Sequence, residues 1–264
     1  MEENIITSVQ NARVKHVVAL QQKSSLRREE GLFVVEGQRE IEHCIACGYE
    51  VVEMFLRSQE SGVRSQENTP TATLVTPQVY EKMAYRESTE GIIAIAKCKS
   101  HGLKDLVLKE HPLIVVLESV EKPGNLGAIL RTAEAANVDA VIVCDPLTDL
   151  YNPNLIRASI GGVFAVPTAV CSSKECIAFL KEHQIRILTA QLQDSYDYYD
   201  YDMRHATAIV MGTESTGLSQ QWREAADAHI RIPMLGRLDS LNVSVSAAIL
   251  MYEAVRQRHI RPLS

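Results

Sequence analysis

The segment that most constrains the fold spans residues 208–251, where two short apolar runs are each followed by a turn of small and polar residues and then by the start of a helix. The first run, residues 208–211, ends at Gly212, and the second leads into SLNVS at residues 240–244. Short, uninterrupted apolar runs are typical of strands buried in a parallel sheet. Because open α/β sheets bind ligands at the carboxyl ends of their strands, two such turns on neighbouring strands predict one binding crevice.

Strands and helices alternate through the rest of this region. Residues 113–117 are too apolar for anything but a central strand, and residues 140–144 and 185–189 also predict strands. Helical patterns between these runs indicate a parallel sheet covered by helices on both faces. The sequence therefore predicts an α/β domain over residues 113–264.

A smaller unit precedes this domain, as the length of 264 residues leads us to expect. Residues 8–30 predict a basic helical arm, and residues 31–98 alternate strands and helices as in a small α/β sandwich. Residues 101–112, with a glycine and a proline near their ends, predict a linker. We therefore expect an N-terminal α/β unit of residues 1–100 before the linker.

Composition excludes several classes of protein. No apolar run approaches the ~18 residues of a membrane span, and the amino terminus lacks the apolar core of a signal peptide, so we expect a cytoplasmic protein without a membrane partner. The net charge of −6 argues against a broad polyanion binder but allows a local basic patch. Cys44 and Cys47 have the spacing of a metal site, but no second pair follows, which predicts a core helix face and no metal.

A third loop lies between the predicted strand at residues 113–117 and the helix at residues 123–135. Its Pro-Gly pair predicts a tight turn, Asn125 can donate and accept hydrogen bonds, and Arg131 lies about two turns into the helix. A dinucleotide-binding loop would need the pattern G-x-G-x-x-G, which this loop lacks, and an acidic residue at the end of the second strand. Asp145 follows Gly127 too soon to be that acidic residue. On the residues alone, Arg131 is a surface arginine or a partner in a helix–sheet ion pair.

The three loops together resemble the motifs of the SpoU (TrmH) family, which are RNA ribose 2'-O-methyltransferases of the SPOUT class. The matching segments are PGNLGAILRTAEA, MGTESTGLS and IPMLGRLDSLNVSVSAA, in this order and spacing within about residues 113–258. The resemblance implies a parallel sheet with a trefoil knot, S-adenosylmethionine as cofactor, and a homodimer formed through the C-terminal helix and the knot region. The segment at residues 11–37 also resembles the family's RNA substrate-recognition domain.

The resemblance implies roles for residues at matching positions. The cofactor contacts it implies are Gly212, Thr213, Glu214, Gly217, Leu218, Ile232, Leu241 and Asn242. It implies that Arg131 is catalytic and that the reactive site is also lined by Asn125, Glu214, Ser240 and Asn242. Because an arginine is normally protonated, Arg131 is either a base made competent by a substrate phosphate or a clamp that places this phosphate.

The basic cluster in the helical arm has two interpretations. On the residues alone, a solvated face balanced by Glu29 and Glu30 is favoured, whereas the family resemblance favours contact with RNA phosphates. The expected RNA contacts are Arg13, Lys15, Lys23, Arg27, Arg28 and Arg157. Arg157 could instead pair with Asp145 or Asp149.

These expectations combine into an enzyme that methylates a ribose 2'-hydroxyl of a structured RNA. Ribosomal RNA is favoured over transfer RNA because of the extra N-terminal unit; a transfer RNA methyltransferase and a catalytically silent RNA-binding protein of the same fold are the alternatives.

Two positions depart from the family pattern, since Glu121-Lys122-Pro123 stands where Asp-Pro is common and Asp239 where Glu is frequent. These departures affect the geometry of the first loop.

The last helix, residues 244–259, is apolar nearly all round until Met251, so it is buried in the domain or packs against a second subunit.

Overall fold

The computed structural model describes residues 5–58, 72–85, 90–213 and 216–259. Contacts divide the chain into two compact units. Unit 1 comprises Met1–Lys99 and Asp149–Ala165, and unit 2 comprises Ser100–Thr148 and Val166–Ser264. Residues 149–165 therefore group with unit 1, although the sequence led us to expect them within the C-terminal domain.

Unit 1 contains a four-stranded mixed sheet. Across the sheet the strands are β1 (Leu32–Glu36), β4 (Ile92–Lys97), β2 (Val51–Arg57) and β3 (Thr73–Val75). β4 pairs antiparallel with β1 and β2, and β3 pairs parallel with β2. The helices of this unit are α1 (Ala12–Gln22), α2 (Ser24–Glu30), α3 (Gln38–Ala46), α4 (Pro77–Met83), α6 (Pro153–Ser159) and α7 (Gly162–Ala165).

The amino-terminal arm folds as two helices because Lys23 adopts an extended conformation between them (φ −114°, ψ 106°). The Asn11 side chain caps α1 by accepting a hydrogen bond from the backbone of Arg13. Buried α1 residues, spaced about three apart, pack with Phe55 and other sheet residues in one apolar core. α2 ends at Gly31, whose φ of 64° is the left-handed conformation typical of helix ends.

Unit 2 contains a seven-stranded sheet in which every pair of neighbouring strands is parallel. The strand order is β7 (Thr168–Cys171), β6 (Ala140–Cys144), β5 (Leu113–Glu118), β10 (Thr207–Met211), β8 (Arg186–Ala190), β11 (Ala228–Arg231) and β9 (Tyr196–Asp197). Its helices are α5 (Pro123–Ala135), α8 (Ser173–Glu182), α9 (Gln220–Ala225) and α10 (Val243–His259). The predicted α/β class with a parallel sheet is confirmed.

The centre of the sheet is apolar throughout. β5, β6 and β10 are buried at every position, as expected for parallel strands covered by helices. Trp222 of α9 is fully buried in the same core. Residues 103–108 contribute three leucines that pack on this core, so much of the expected linker belongs to unit 2.

α10 is buried on one side and exposed on another. Ala247, Leu250 and Met251 are buried, and the helix packs on α5. Val245 and Tyr252 are 46% and 49% exposed, so an apolar stripe remains on the outer side. Among the described helices, none is long and apolar enough to cross a membrane.

Candidate active site

A cleft of about 650 Å³ lies at the carboxyl ends of β10, β8 and β11. It is lined by residues 190–193, 211–213, 216–218, 230–232 and 239–243, together with Arg223 of α9, Met234, and Ser246 and Leu250 of α10. This volume falls within the ~300–1,000 Å³ of small-molecule sites. The crevice predicted from the two turns therefore has a counterpart at the expected edge of the sheet.

The two turns do not follow neighbouring strands, however. β8 lies between β10 and β11 in the sheet, so the loop after β8, which contains Gln191 and Gln193, forms a third wall of the cleft. This wall was not predictable from a motif, because the segment AQLQ at residues 190–193 carries neither a glycine nor a recognisable pattern. The strand predicted just before this segment could have indicated it, because the carboxyl ends of parallel strands lie at the ligand-binding edge of the sheet.

The loop after β10 folds back tightly on itself. The backbone N–H of Thr213 donates to the Gly217 carbonyl (3.3 Å), and the N–H of Gly217 donates to the Thr213 carbonyl (3.1 Å). A Cβ atom on Gly212 would lie 2.3 Å from the carbonyl carbon and oxygen of Gly217. Glycine is therefore required at position 212 for this loop to close. Leu218 is buried beneath the loop, and Glu214 lies outside the described residues.

The last motif forms the facing wall. The residues of this motif to which the resemblance assigns cofactor or reactive-site roles all line the cleft: Ile232, Ser240, Leu241 and Asn242. The Asn242 side-chain oxygen accepts hydrogen bonds from the backbone N–H (3.0 Å) and hydroxyl (2.6 Å) of Ser244. These bonds hold Asn242 at the start of α10.

A hydrogen bond joins the first motif to the last. Nδ2 of Asn242 donates to Oδ1 of Asn125 across 3.2 Å. A smaller cavity of about 130 Å³ lies beside them, lined by Asn125, Gly212 and Thr213 among others. The structure thus brings together parts of all three predicted motif loops, although the sequence separates Asn125 of the first from Asn242 of the last by more than a hundred residues.

Arg131 lies outside both cavities, on an exposed face of α5. Helical side chains lean toward the amino terminus of their helix and cover the preceding turn. In that turn the residues are Gly127 and Ala128, so nothing bulky separates the arginine from the first motif loop along the helix. The described residues include no hydrogen-bond or ion-pair partner for Arg131, and the helix–sheet ion pair considered from the sequence is not found among them.

A buried carboxylate that was not predicted from the sequence anchors the loop after β10. Glu118, at the end of β5, is only 6% exposed and accepts hydrogen bonds from the backbone N–H (2.8 Å) and hydroxyl (2.6 Å) of Ser219. Ser173 lies beside it and accepts a hydrogen bond from Nε1 of Trp222 (3.0 Å). In the sequence, this anchor could have been indicated by an acidic residue at the carboxyl end of an otherwise apolar strand.

Two buried polar atoms at the cleft have no hydrogen-bond partner among the described residues. They are Oε1 of Gln191 and Nε of Arg223, and both residues line the cleft. Leaving such groups unpaired is costly in free energy. Since Met211, Leu218 and Ile230 supply apolar surface beside them, the cleft fits a ligand with an apolar ring system and several polar groups.

Arg27, one of the predicted RNA contacts, is instead part of the interior of unit 1. It is 3% exposed, and its guanidinium donates to both carboxylate oxygens of Asp149 (3.1 and 2.5 Å). Nη1 donates to the carbonyls of Leu20 and Gln21. The prediction is wrong for this residue because a buried, fully engaged guanidinium is not available to a phosphate.

The other predicted RNA contacts are on the surface of unit 1. Lys15, Lys23, Arg28 and Arg157 are exposed. Arg157 does not pair with Asp149, which Arg27 occupies.

Arg13 is 44% exposed but forms an ion pair with Glu53 and lies 5.1 Å from the centre of the Phe55 ring. Its charge is therefore partly engaged.

The predicted core face of α3 is present at Cys44, which is buried.

Comparison with known proteins relates this site to a family. The SpoU rRNA Methylase family model matches residues 112–252, and the MRM3-like substrate binding domain model matches residues 11–94. The 23S rRNA (uridine(2479)-2'-O)-methyltransferase of Streptomyces viridochromogenes is 29% identical over 96% of this chain and 92% of its own length. The 23S rRNA (guanosine(2553)-2'-O)-methyltransferase RlmP of Bacillus subtilis is 26% identical over 94% of this chain and 97% of its own length.

Solved structures agree with these matches. The crystal structure of an RNA 2'-O ribose methyltransferase superposes with a TM-score of 0.85 at 37% identity, covering 97% of this chain and all of the other. The SpoU methyltransferase AviRb from Streptomyces viridochromogenes, in complex with the cofactor AdoMet, gives a TM-score of 0.87 at 27% identity, with 94% and 98% coverage. Because the family model also matches more than half of the 264 residues, this chain belongs to the SpoU rRNA methylase family.

Proposed function

We propose that this protein transfers the methyl group of S-adenosylmethionine to a ribose 2'-hydroxyl of ribosomal RNA. The observation that carries the proposal is the meeting of the three motif loops, where Asn125 and Asn242 are hydrogen-bonded at the edge of the cleft. The relatives that match nearly the whole chain are named as 23S ribosomal RNA 2'-O-methyltransferases, which supports ribosomal over transfer RNA. We expect this activity in the cytoplasm.

The residues of the cleft fit S-adenosylmethionine. Apolar surface from Leu218, Ile232 and Leu241 suits the adenine ring, and the unpaired atoms of Gln191 and Arg223 suit its polar groups. The further residues that we propose to contact the cofactor are Gly212, Thr213, Glu214, Gly217 and Asn242. When bound, the cofactor supplies an electrophilic methyl group on a sulfonium centre.

The contribution of the protein is mainly alignment. Two reactants held in an attack geometry react as one molecule, which accelerates such reactions by large factors. We propose that Asn125, Glu214, Ser240 and Asn242 orient the ribose beside the methyl donor. The hydrogen bond between the two asparagines supports this role, because it holds the first loop in place before the substrate arrives.

We assign Arg131 the role of a phosphate clamp. Its exposure and its lack of an ion pair among the described residues leave its full charge for a substrate phosphate, and a guanidinium binds phosphate through two parallel hydrogen bonds. A clamped phosphate places the adjacent ribose hydroxyl at the cleft. As the hydroxyl oxygen attacks, its proton passes to solvent water.

Replacing Arg131 with alanine tests this assignment. We expect methylation to fall by at least about 100-fold, while the affinity for S-adenosylmethionine in calorimetry changes by less than about twofold because Arg131 does not line the cleft. Lys181→Ala, which removes an exposed cation from α8, is the matched control. Parallel loss of methylation and cofactor binding in Arg131→Ala would contradict the clamp.

The substrate is identified by mapping 2'-O-methylated nucleotides in RNA from cells with and without the gene. We expect one ribosomal position to lose its methyl group. Loss confined to transfer RNA, or no change in any RNA despite cofactor binding, would refute the ribosomal assignment.

We propose that Lys15, Lys23, Arg28 and Arg157 bind RNA phosphates, with a smaller contribution from Arg13. Their exposure supports this role, and removing each one should weaken RNA binding and reduce its salt dependence. Arg27 supports these residues from the interior, since its pair with Asp149 fixes α2 to the segment before α6.

We also propose a homodimer formed through α10 and the preceding loop. Leu235 and Leu238 in this loop are 98% and 75% exposed, and Val245 and Tyr252 are partly exposed apolar side chains on α10. Large exposed apolar surfaces of this kind mark protein interfaces. We propose that the trefoil knot implied by the family resemblance lies in the same region, where the last motif and the loop after β10 line one cleft.

A further inference from the structure

Three cysteines lie together at the carboxyl ends of β6 and β7 in unit 2. Cys144 ends β6 and Cys171 ends β7, where they are register partners on adjacent parallel strands. Cys176 faces them from α8. Their three Sγ atoms lie within 4.8 Å of one another, which makes this cysteine trio a compact group with one centre.

The spacing of the trio suits a single small cation. A tetrahedral zinc site has Zn–S bonds of about 2.3 Å, which separates its sulfur atoms by roughly 3.8 Å. Contraction by no more than about one ångström would therefore bring the three sulfurs to bonding distance. Cys144 and Cys176 are fully buried and Cys171 is partly exposed, so the open side leaves room for a fourth ligand from solvent.

The charges near the trio favour a divalent cation. The charged side chains that act on Cys171 are the carboxylates of Asp145 and Glu175. Both carboxylates already accept hydrogen bonds from serines, Asp145 from Ser173 and Glu175 from Ser172. Thiolates at this position would thus lie near two negative neighbours, and a cation with two positive charges offsets this better than a monovalent one.

We propose that Cys144, Cys171 and Cys176 bind one thiophilic divalent cation of the zinc class, with water as the fourth ligand. Each thiol releases its proton to solvent as its sulfur forms a bond to the metal, and no oxidation state changes. The sequence did not reveal this site because only Cys171 and Cys176, in C-x26-C-x4-C, have the short spacing of zinc motifs, and Cys144 lies far before them.

The site has a structural role rather than a catalytic one. The trio lies at the β7 edge of the sheet, whereas the cleft lies at β10, β8 and β11. A metal there would tie edge strand β7 to α8. α8 begins at Ser173, which bonds Asp145 and Trp222 and lies beside the Glu118 anchor of the cofactor loop.

Cadmium titration of the full-length, reduced and metal-free protein tests the proposal. We expect one Cd²⁺ per chain, with thiolate-to-metal charge-transfer absorption in the ultraviolet that Zn²⁺ competes away. Cys171→Ser should weaken Cd²⁺ binding by more than about 100-fold. Cys98→Ser, which removes a partly exposed cysteine of unit 1, is the control and should bind as the unaltered protein does.

Three outcomes would overturn the metal site. One is the absence of charge-transfer absorption in the unaltered protein, and another is the same absorption in a folded Cys171→Ser variant. The third is a chain that binds no Cd²⁺ but forms a disulfide within the trio when treated with hydrogen peroxide. If circular dichroism shows that Cys171→Ser does not fold, the question is decided by replacing the cysteines outside the trio, one at a time, in Cys44→Ser, Cys47→Ser and Cys98→Ser. Loss of Cd²⁺ binding in any of these variants would assign the metal to other thiols.

Discussion

Replacing Arg27 with alanine separates a structural role for this residue from a role in RNA contact. The substitution removes two hydrogen bonds to Asp149 and two to the backbone carbonyls of Leu20 and Gln21. It leaves the Asp149 carboxylate, whose side chain is 18% exposed, without its cation. The remaining described partner of this carboxylate is the backbone N–H of Tyr151, at 3.1 Å.

The magnitude follows from the burial of the pair. Removing one partner of a buried ion pair costs about 3–5 kcal/mol, because the other charge stays buried without compensation. The partial exposure of Asp149 and its remaining hydrogen bond place the cost near the lower end, at about 3 kcal/mol. Replacing both residues at once, as Arg27→Met with Asp149→Leu, should cost less than Arg27→Ala alone, since no unpaired charge remains.

The assay must report on unit 1 separately. The single tryptophan, Trp222, lies in unit 2, so its fluorescence serves as the control signal. Native-state hydrogen exchange of peptides covering α1 and β1 reports the opening free energy of unit 1. We expect it to fall by about 3 kcal/mol in Arg27→Ala, with exchange in unit 2 unchanged. Unaltered protection of α1 and β1 combined with lost RNA affinity would refute this reasoning and restore Arg27 as an RNA contact.

Two other substitutions test the cleft and the proposed dimer. Gly212→Ala should lower the affinity for S-adenosylmethionine in calorimetry by at least about tenfold, because its Cβ would lie 2.3 Å from the Gly217 carbonyl; unchanged affinity with a folded chain would show that this loop does not hold the cofactor. Leu235→Glu, at a side chain that is 98% exposed, should shift the chain toward monomer in sedimentation equilibrium by about tenfold or more in dissociation constant without lowering the melting temperature of the monomer. A monomer before the substitution would contradict the dimer itself.

The parts of the fold that the sequence predicted well depend on local patterns. The strands expected at residues 113–117 and 140–144 correspond to β5 (Leu113–Glu118) and β6 (Ala140–Cys144), because a strand buried on both faces needs an unbroken apolar run. The motif loops were also predictable, since they combine glycines and polar residues at strand ends. The order of strands in the sheet was not, because it depends on pairings between distant segments. For the site, the important unpredicted feature is that β8 lies between β10 and β11, which places the loop after β8 in the wall of the cleft.

The pair Arg27-Arg28 shows why local patterns fail for individual side chains. Adjacent residues on a helix point about 100° apart, so one arginine of a basic pair can face inward while the other faces solvent. The partner that decides between them, Asp149, lies 122 residues away. The cysteine trio could not be predicted for the same reason, because it depends on a contact between distant residues. The register between β6 and β7 brings Cys144 and Cys171 together.

The span of the cleft residues along the chain determines when the proposed methyl-donor site is complete. The walls of the cleft extend from residue 190 to residue 250, so a chain emerging from the ribosome lacks a complete donor site until α10 has been made and has packed on α5. A ligand that binds only the finished fold stabilises that fold by mass action. We therefore expect added S-adenosylmethionine to protect the complete chain against proteolysis, and to give no such protection to chains that stop before the last helix.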